Sequence, residues 1–161
     1  MSLIEKNTTT TQPSNGINSE VSNNKVTNHS KMDDVIFYPG YGVCHYLNSD
    51  SKYHYLKSLI LQIKISIPLK TSQHRSLISK DQATVIKSSL DLMKECSFSE
   101  VWNRRKKYFM NRIYTGNPEK ILEVVQELNF VQTKKLLSYS EKEIQKMARN
   151  LLTDELAVVL K

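Results

Sequence analysis

Alternating apolar and polar residues predict β-strands in the first part of the folded chain. The clearest run is residues 59–67, where Leu or Ile fills every odd position and Gln62, Lys64 and Ser66 stand between them. A period of two places the aliphatic set on a core face and the polar set outside. Shorter strand signals precede this run at residues 35–38, 43–47 and 53–56. Four or five short strands so close together indicate a small barrel.

After Ser79 the apolar period becomes helical. Three serines, each followed three residues later by Gln or Glu, fit a capping box: Ser79, Ser97 and Ser138. Asn117 before Pro118 is a fourth helix start. The predicted apolar stripes are Val85, Ile86, Leu90 and Met93; Phe98, Val101, Trp102, Phe109 and Ile113; Ile121, Val124, Val125 and Leu128; and Ile144, Met147, Ala148, Leu151, Leu152, Leu156 and Val159. Each stripe needs a partner surface, which a compact bundle supplies.

The first 31 residues have a different composition from the rest of the chain. They hold six Asn, five Ser and five Thr, and no aromatic residue. Such a segment cannot bury enough apolar surface to offset the entropy of ordering it. We therefore predict an α+β protein in three segments: a disordered tail at 1–31, a β domain at 32–79 and an all-α domain at 80–161.

Composition excludes several classes of protein. No run of 18 apolar residues is present, which argues against a membrane-spanning helix. The start, MSLIEKNTTTTQ, has neither a basic leader nor an apolar stretch, so we do not expect secretion. Cys44 and Cys96 are the only cysteines, too few for a disulfide scaffold or a four-thiolate zinc site. We expect a cytoplasmic protein.

Positive charge is concentrated in one predicted helix. The chain carries 23 Lys and Arg against 16 Asp and Glu, a net charge of +7, which favours an anionic partner. Residues 101–112 contain no acid and five of these basic residues: Arg104, Arg105, Lys106, Lys107 and Arg112. Such a helix can contact phosphates without regard to base sequence.

Trp102, the single tryptophan, lies at the start of this basic stretch. An aromatic ring on a phosphate-contacting surface can wedge between base steps or stack on an unpaired base. The alternative is an ordinary amphipathic helix with solvated cations and a buried indole. Phe98 and Phe109 fall roughly on the same helical face as Trp102, so the pattern alone favours burial.

Other candidate chemistry is weak. Adjacent Asp33 and Asp34 would point to opposite faces of a strand, so a solvated strand start is the simpler interpretation. Cys44 and His45, with His54 and His74, match no metal-ligand spacing, although a thiol–imidazole enzyme built from them stays a second alternative. Residues 40–42 read Gly-Tyr-Gly and lack the Gly-Lys-Ser/Thr that completes a phosphate loop. We expect no enzyme, metal or cofactor.

Several short motifs occur in a recognisable order. They are Asp34; Tyr38-Pro39-Gly40-Tyr41-Gly42-Val43; Ile65-Ser66-Ile67-Pro68; Trp102-Asn103-Arg104-Arg105; Gly116; Glu123-Val124-Val125-Gln126-Glu127-Leu128; Leu137-Ser138-Tyr139-Ser140-Glu141; and residues 148–156. Together they resemble the CarD/CdnL family of bacterial transcription regulators. That family shares its N-terminal module with the polymerase-interacting domain of the transcription-repair coupling factor. The resemblance spans residues 32–161, and W-x-R-R at Trp102 is its most specific part.

The resemblance implies a fold and a set of roles. The N-terminal domain would be a Tudor-like barrel that binds the β subunit of RNA polymerase through Lys64, Ile65 and Ser66. The helical domain would lie on promoter DNA at the upstream edge of the transcription bubble. Trp102 would be the minor-groove wedge there. The phosphate contacts would be Arg104, Arg105 and Lys107.

The chain departs from the family pattern in its N-terminal half. Ser66 stands where relatives often carry a basic residue, and Lys64 on the same strand face can substitute for it. Residues 76–78, Ser-Leu-Ile, replace a usual glycine and arginine. We predict a non-enzymatic, monomeric, nucleoid-associated regulator that stabilises the open promoter complex. The alternative from a different class is a general basic nucleic-acid-binding protein that acts without polymerase.

Overall fold

A computed structural model of the chain describes residues 35–71, 73–97 and 101–161. The predicted tail at 1–31 and the Asp33–Asp34 pair lie outside the described residues. Within them, five strands are followed by four helices, and the predicted α+β class is confirmed. The division at residues 79 and 80 stays a prediction, although the first helix does begin at Lys80.

The strands form one antiparallel sheet. They are β1 (Val35–Tyr38), β2 (Gly42–Ser49), β3 (Tyr53–Ser58), β4 (Lys64–Pro68) and β5 (Arg75–Ser76), with a short 3-10 turn at Leu69–Thr71. Their order in the sheet is β4-β3-β2-β1-β5, so β4 and β5 are the edges. Tight reversal between β1 and β2 depends on Gly40 and Gly42, whose φ angles of 82° and 73° favour glycine.

The predicted strand over residues 59–67 is only half right. Ser58 ends β3 and closes a turn, since its amide donates to the Ile63 carbonyl at 3.0 Å and its carbonyl accepts from the Gln62 amide at 3.1 Å. Leu61 and Ile63 are therefore 56% and 45% exposed rather than buried. From Lys64 onward the alternation holds, and Ile67 is buried. An alternating pattern alone does not reveal this turn, because the turn is closed by backbone hydrogen bonds of a single residue, Ser58.

The two faces of the sheet bury different cores. On one face Ile36, Cys44, Leu56 and Ile67, from four strands, form a small core. The opposite face contributes Phe37 and Val43 to the main core, which the helices complete. Because successive side chains of a strand point to opposite faces, each face of the sheet contributes apolar residues to a different core.

One ring contact links β3 to the connection that precedes β5. His54 on β3 and His74 just before β5 touch edge to face, with ring centroids 5.3 Å apart. In the flat strand order, β3 and β5 are separated by β2 and β1. The connection that leads into β5 thus returns to β3, which agrees with a sheet curved as in the expected Tudor-like barrel.

The helices begin at capping residues in three of the four cases. Their bounds are α1 (Lys80–Ser89), α2 (Trp102–Tyr114), α3 (Pro118–Lys134) and α4 (Tyr139–Val159). Capping boxes at Ser79 and Ser138, and the Asn117 cap, are confirmed. The box expected at Ser97 is not the start of α2, which follows Val101 without a side-chain cap. Phe98 and Glu100 of that prediction lie outside the described residues.

Most predicted apolar stripes are buried, with a few exceptions. Val85 is 64% exposed, because Ala83 and Ile86 form the inner face of α1. Met93 is 60% exposed, since α1 ends at Ser89. Val101 is 53% exposed because it precedes the first turn of α2, and Met147 on α4 is 38% exposed. The remaining described stripe positions on α3 and α4 lie in the main core or against it.

One ion pair joins the sheet to the helices. The Arg75 guanidinium binds the fully buried Glu155 carboxylate of α4 through two bonds, at 2.6 Å and 2.8 Å. Arg75 Nε also donates to the Gly116 carbonyl at 2.6 Å, and its Cζ lies 4.1 Å from the centroid of the Phe37 ring. Glu155 accepts a further bond from the Ile78 amide at 3.0 Å. The two halves of the protein are therefore held in one arrangement.

Loss of this pair is expected to destabilise the whole protein. Arg75→Ala strands a buried carboxylate, which costs about 3 kcal/mol or more of unfolding free energy. Arg149→Ala is the control, since its partner Asp91 has an 87% exposed side chain and exposed pairs contribute about 1 kcal/mol or less. Urea unfolding measures both. Equal losses for the two variants would contradict the assignment.

Candidate nucleic-acid interface

The five basic residues of α2 divide into two groups. Arg104, Lys106 and Lys107 are exposed, whereas Arg105 and Arg112 are partly buried. The helical period causes this division, since the face that carries Phe109 and Ile113 into the main core also turns Arg105 and Arg112 towards neighbouring helices. Only part of the basic run is thus presented to solvent.

Arg105 is bound inside the protein. Its Nη2 donates to Glu141 Oε1 of α4 at 3.2 Å, and only 15% of its side chain is exposed. The resemblance implied a phosphate contact for this residue, together with Arg104 and Lys107. The structure instead gives Arg105 an ion pair with a buried carboxylate, and within the described residues neither Arg104 nor Lys107 has such a partner.

Glu141 is held in its ionised form. Burial opposes ionisation, but bonds from the Ser138 amide and hydroxyl and from Lys135 outweigh it, so the pKa of Glu141 is lowered. Ser138 N–H donates to Oε2 at 2.8 Å, and Lys135 Nζ lies 3.1 Å from Oε1. The start of α4 and the side chain of Arg105 are thus fixed to one carboxylate.

Arg112 is held in a similar way at the other end of α2. Its Nη1 lies 2.8 Å from Glu127 Oε1 and 3.0 Å from Glu123 Oε2, and its Cζ lies 4.5 Å from the centroid of the Tyr108 ring. Burial raises the pKa of Glu127 despite the nearby guanidinium. Arg112 therefore compensates a desolvated acid, which is a structural role.

The exposed cations have a different environment. In the described part of the chain, no carboxylate lies within ion-pair distance of Arg104, Lys106 or Lys107. The first turn of α2 also has no acidic residue. Cations near the positive end of a helix dipole cost stability. The beginning of α2 is therefore a surface suited to an anion.

Trp102 is the first residue of α2 and lies at the border of the main core. Its ring is half-buried and packs against the core cluster. The Arg105 Cζ lies 5.5 Å from the ring centroid, so the guanidinium and the indole form a cation–π contact. Trp102 is neither sealed inside nor fully projecting. Its role as a wedge stays a prediction.

The residues expected to bind polymerase lie on the edge strand β4. Lys64 and Ser66 are exposed, as their even positions predict. Ile65 faces the other way and packs against the small core. An edge strand presents backbone groups that another chain can pair with. The three assignments stay predictions, with Ile65 as a supporting rather than a contacting residue.

The cysteine and histidines do not form a nucleophilic site in the described residues. Cys44 is fully buried, its thiol donates to the Gly42 carbonyl at 3.6 Å, and burial raises its pKa to about 11. His45 is exposed on the opposite side of β2. His54 accepts or donates a 2.9 Å bond with the Tyr46 hydroxyl and contacts His74.

The described residues contain neither a cluster of metal ligands nor a membrane-spanning helix. No group of three or more His, Cys, Asp or Glu residues is placed to hold a metal ion. Among the described helices, no segment combines the length and the hydrophobicity that a membrane span requires.

Sequence reasoning missed the buried acids. Glu127, Glu141 and Glu155 are at most 3% exposed, and each binds an arginine. Only Glu141 had a sequence signal for a structural role, because it completes the Ser138 capping box. Glu127 and Glu155 lie on the same helix faces as buried aliphatic residues. They can be identified as inward-facing only when the neighbouring helices are known.

Comparison with known proteins identifies the helical part. Residues 89–161 match the family model described as CarD, C-terminal domain. A search of curated proteins finds no match to the chain. The matched range contains α2, α3 and α4, and so includes Trp102 and the exposed cations beside it. The helical part of the chain therefore carries a CarD C-terminal domain, and this match supports membership of the CarD/CdnL family.

Proposed function

We propose that this protein is a non-enzymatic regulator that binds the β subunit of RNA polymerase and stabilises the open promoter complex. The observation that carries the proposal is the start of α2. There, exposed Arg104, Lys106 and Lys107 lack carboxylate partners among the described residues and follow the half-buried Trp102 within the first two turns of the helix. This arrangement belongs to a CarD C-terminal domain.

The cations supply affinity for DNA. Arg104 and Lys107 are the phosphate contacts, and each releases counterions on binding. Arg105 acts indirectly, because its ion pair with Glu141 holds it beside the Trp102 ring. A few such contacts give weak, salt-dependent binding without sequence preference. Selection for the promoter must come from the distorted DNA and from polymerase.

Trp102 supplies the preference for opened DNA. Unstacking a base step costs a few kcal/mol, so an inserted indole is favoured where the duplex is already distorted. A ligand shifts an equilibrium by its differential affinity for the two states. A difference of about 1.4 kcal/mol changes the ratio of open to closed promoter tenfold.

The sheet supplies the anchor on polymerase. β4 is an edge strand with Lys64 and Ser66 exposed, which suits contact with another protein. The Arg75–Glu155 pair and the shared main core hold this sheet rigidly to the helices. Docking of the sheet would therefore place α2 at a high effective concentration beside the promoter.

The alternative is a general basic nucleic-acid-binding protein. The same exposed cations would serve it, and the replacement of a basic residue by Ser66 removes one expected contact with polymerase. The two functions differ in whether the sheet binds polymerase. The cations and Trp102 alone do not distinguish them.

Trp102→Ala is expected to shorten the lifetime of open complexes about tenfold, because the wedge is lost. The measurement is the decay of open complexes after addition of a polyanionic competitor, with full-length protein and polymerase. Trp102→Phe should retain part of the effect. Tyr114→Ala, an exposed aromatic on the same helix, is the control. An unchanged lifetime with folded Trp102→Ala would refute the wedge.

Retention of the full chain on immobilised polymerase β subunit tests docking. We expect wild-type protein to be retained and the double variant Lys64→Glu, Ser66→Glu to lose about tenfold, because acids replace the exposed side chains of β4. Lys87→Glu, on exposed α1 surface, should bind as wild type. Failure of the wild-type chain to bind would favour the general nucleic-acid binder.

A further inference from the structure

Two large side chains at the connection between α3 and α4 are almost fully exposed. Leu136 is 91% exposed and Tyr139 is 79% exposed. The two residues between them have structural roles, since Leu137 is buried in the main core and Ser138 caps α4. Folding therefore does not explain the two exposed residues, which we call the α3–α4 corner.

The α3–α4 corner lies beside the basic start of α2. The connecting group is the Glu141 carboxylate, which is bound at once by Arg105 at 3.2 Å, by Lys135 at 3.1 Å and by the Ser138 amide at 2.8 Å. Arg105 in turn lies against the Trp102 ring. One buried carboxylate thus places the corner and Trp102 on adjoining parts of the surface.

The charge around the corner is positive. Lys134, Lys135 and Lys142 are exposed on either side of it, and Lys135 is paired with the buried Glu141. Glu143, one turn after Tyr139, is exposed, so the local cations still outnumber the solvent-facing acid. The corner also begins the 21-residue helix α4, whose dipole adds positive potential there. An apolar protein partner would not need these cations, whereas a polyanion with exposed rings would use both the cations and Tyr139.

We propose that the α3–α4 corner binds an unpaired base of opened DNA, with the Tyr139 ring stacked on the base and Leu136 against its edge. The proposal rests on the proposed function, in which the helical part binds promoter DNA. Stacking on aromatic rings is available only to bases outside the duplex and tolerates any base. The corner would add to the preference that Trp102 gives for melted over closed promoter.

The test uses full-length protein and two fluorescent probes, a forked DNA with an unpaired branch and a fully paired duplex of equal length. At low salt, Tyr139→Ala should weaken fork binding about fivefold or more and change duplex binding less than twofold. Tyr139→Phe should restore fork binding. Tyr53→Ala, an exposed tyrosine on the sheet, is the matched control, and thermal melting should be unchanged in all three.

Three results would overturn the proposal: wild-type protein that does not prefer the fork, Tyr139→Ala that binds both probes as wild type does, or equal weakening on both probes. The last would mean contact with the DNA backbone only. Since the assay contains no polymerase, a failure of polymerase docking leaves its outcome unchanged. The two hypotheses can therefore fail separately.

Discussion

The structure depends on buried carboxylates that are held by arginines from other elements. The three pairs are Glu155 with Arg75, Glu141 with Arg105, and Glu127 with Arg112. Removing one member of a buried pair leaves an uncompensated charge, so each pair strongly disfavours arrangements in which the partners are apart. Together they join the sheet to α4, the start of α2 to the start of α4, and the end of α2 to α3.

The same pairs decide which charges remain for a partner. Two of the five cations of α2 neutralise buried acids, and Arg104, Lys106 and Lys107 remain exposed. The Arg105–Glu141 pair also supports the Trp102 ring from one side. Buried ion pairs therefore use two of the basic residues of α2. The other three form, with Trp102, the positive surface at the start of this helix.

Local patterns predicted most of the fold. Capping at Ser79 and Ser138 and the helix start at Asn117 are properties of a few neighbouring residues, and each was found. Prediction failed where distant groups decide the outcome. Arg105 meets Glu141 across 36 residues of sequence, and no local pattern indicates that contact. The run of basic residues identified the candidate surface, but not which of its members face solvent.

The most direct measurement is the salt dependence of duplex binding for Arg104→Ala against Arg105→Ala. The account predicts that Arg104→Ala reduces the slope of log K against log salt by about 0.9, as loss of one phosphate contact requires. Arg105→Ala should keep the wild-type slope and instead lower the free energy of unfolding, because Glu141 loses its partner. A reduced slope for Arg105→Ala with an unchanged slope for Arg104→Ala would contradict the account.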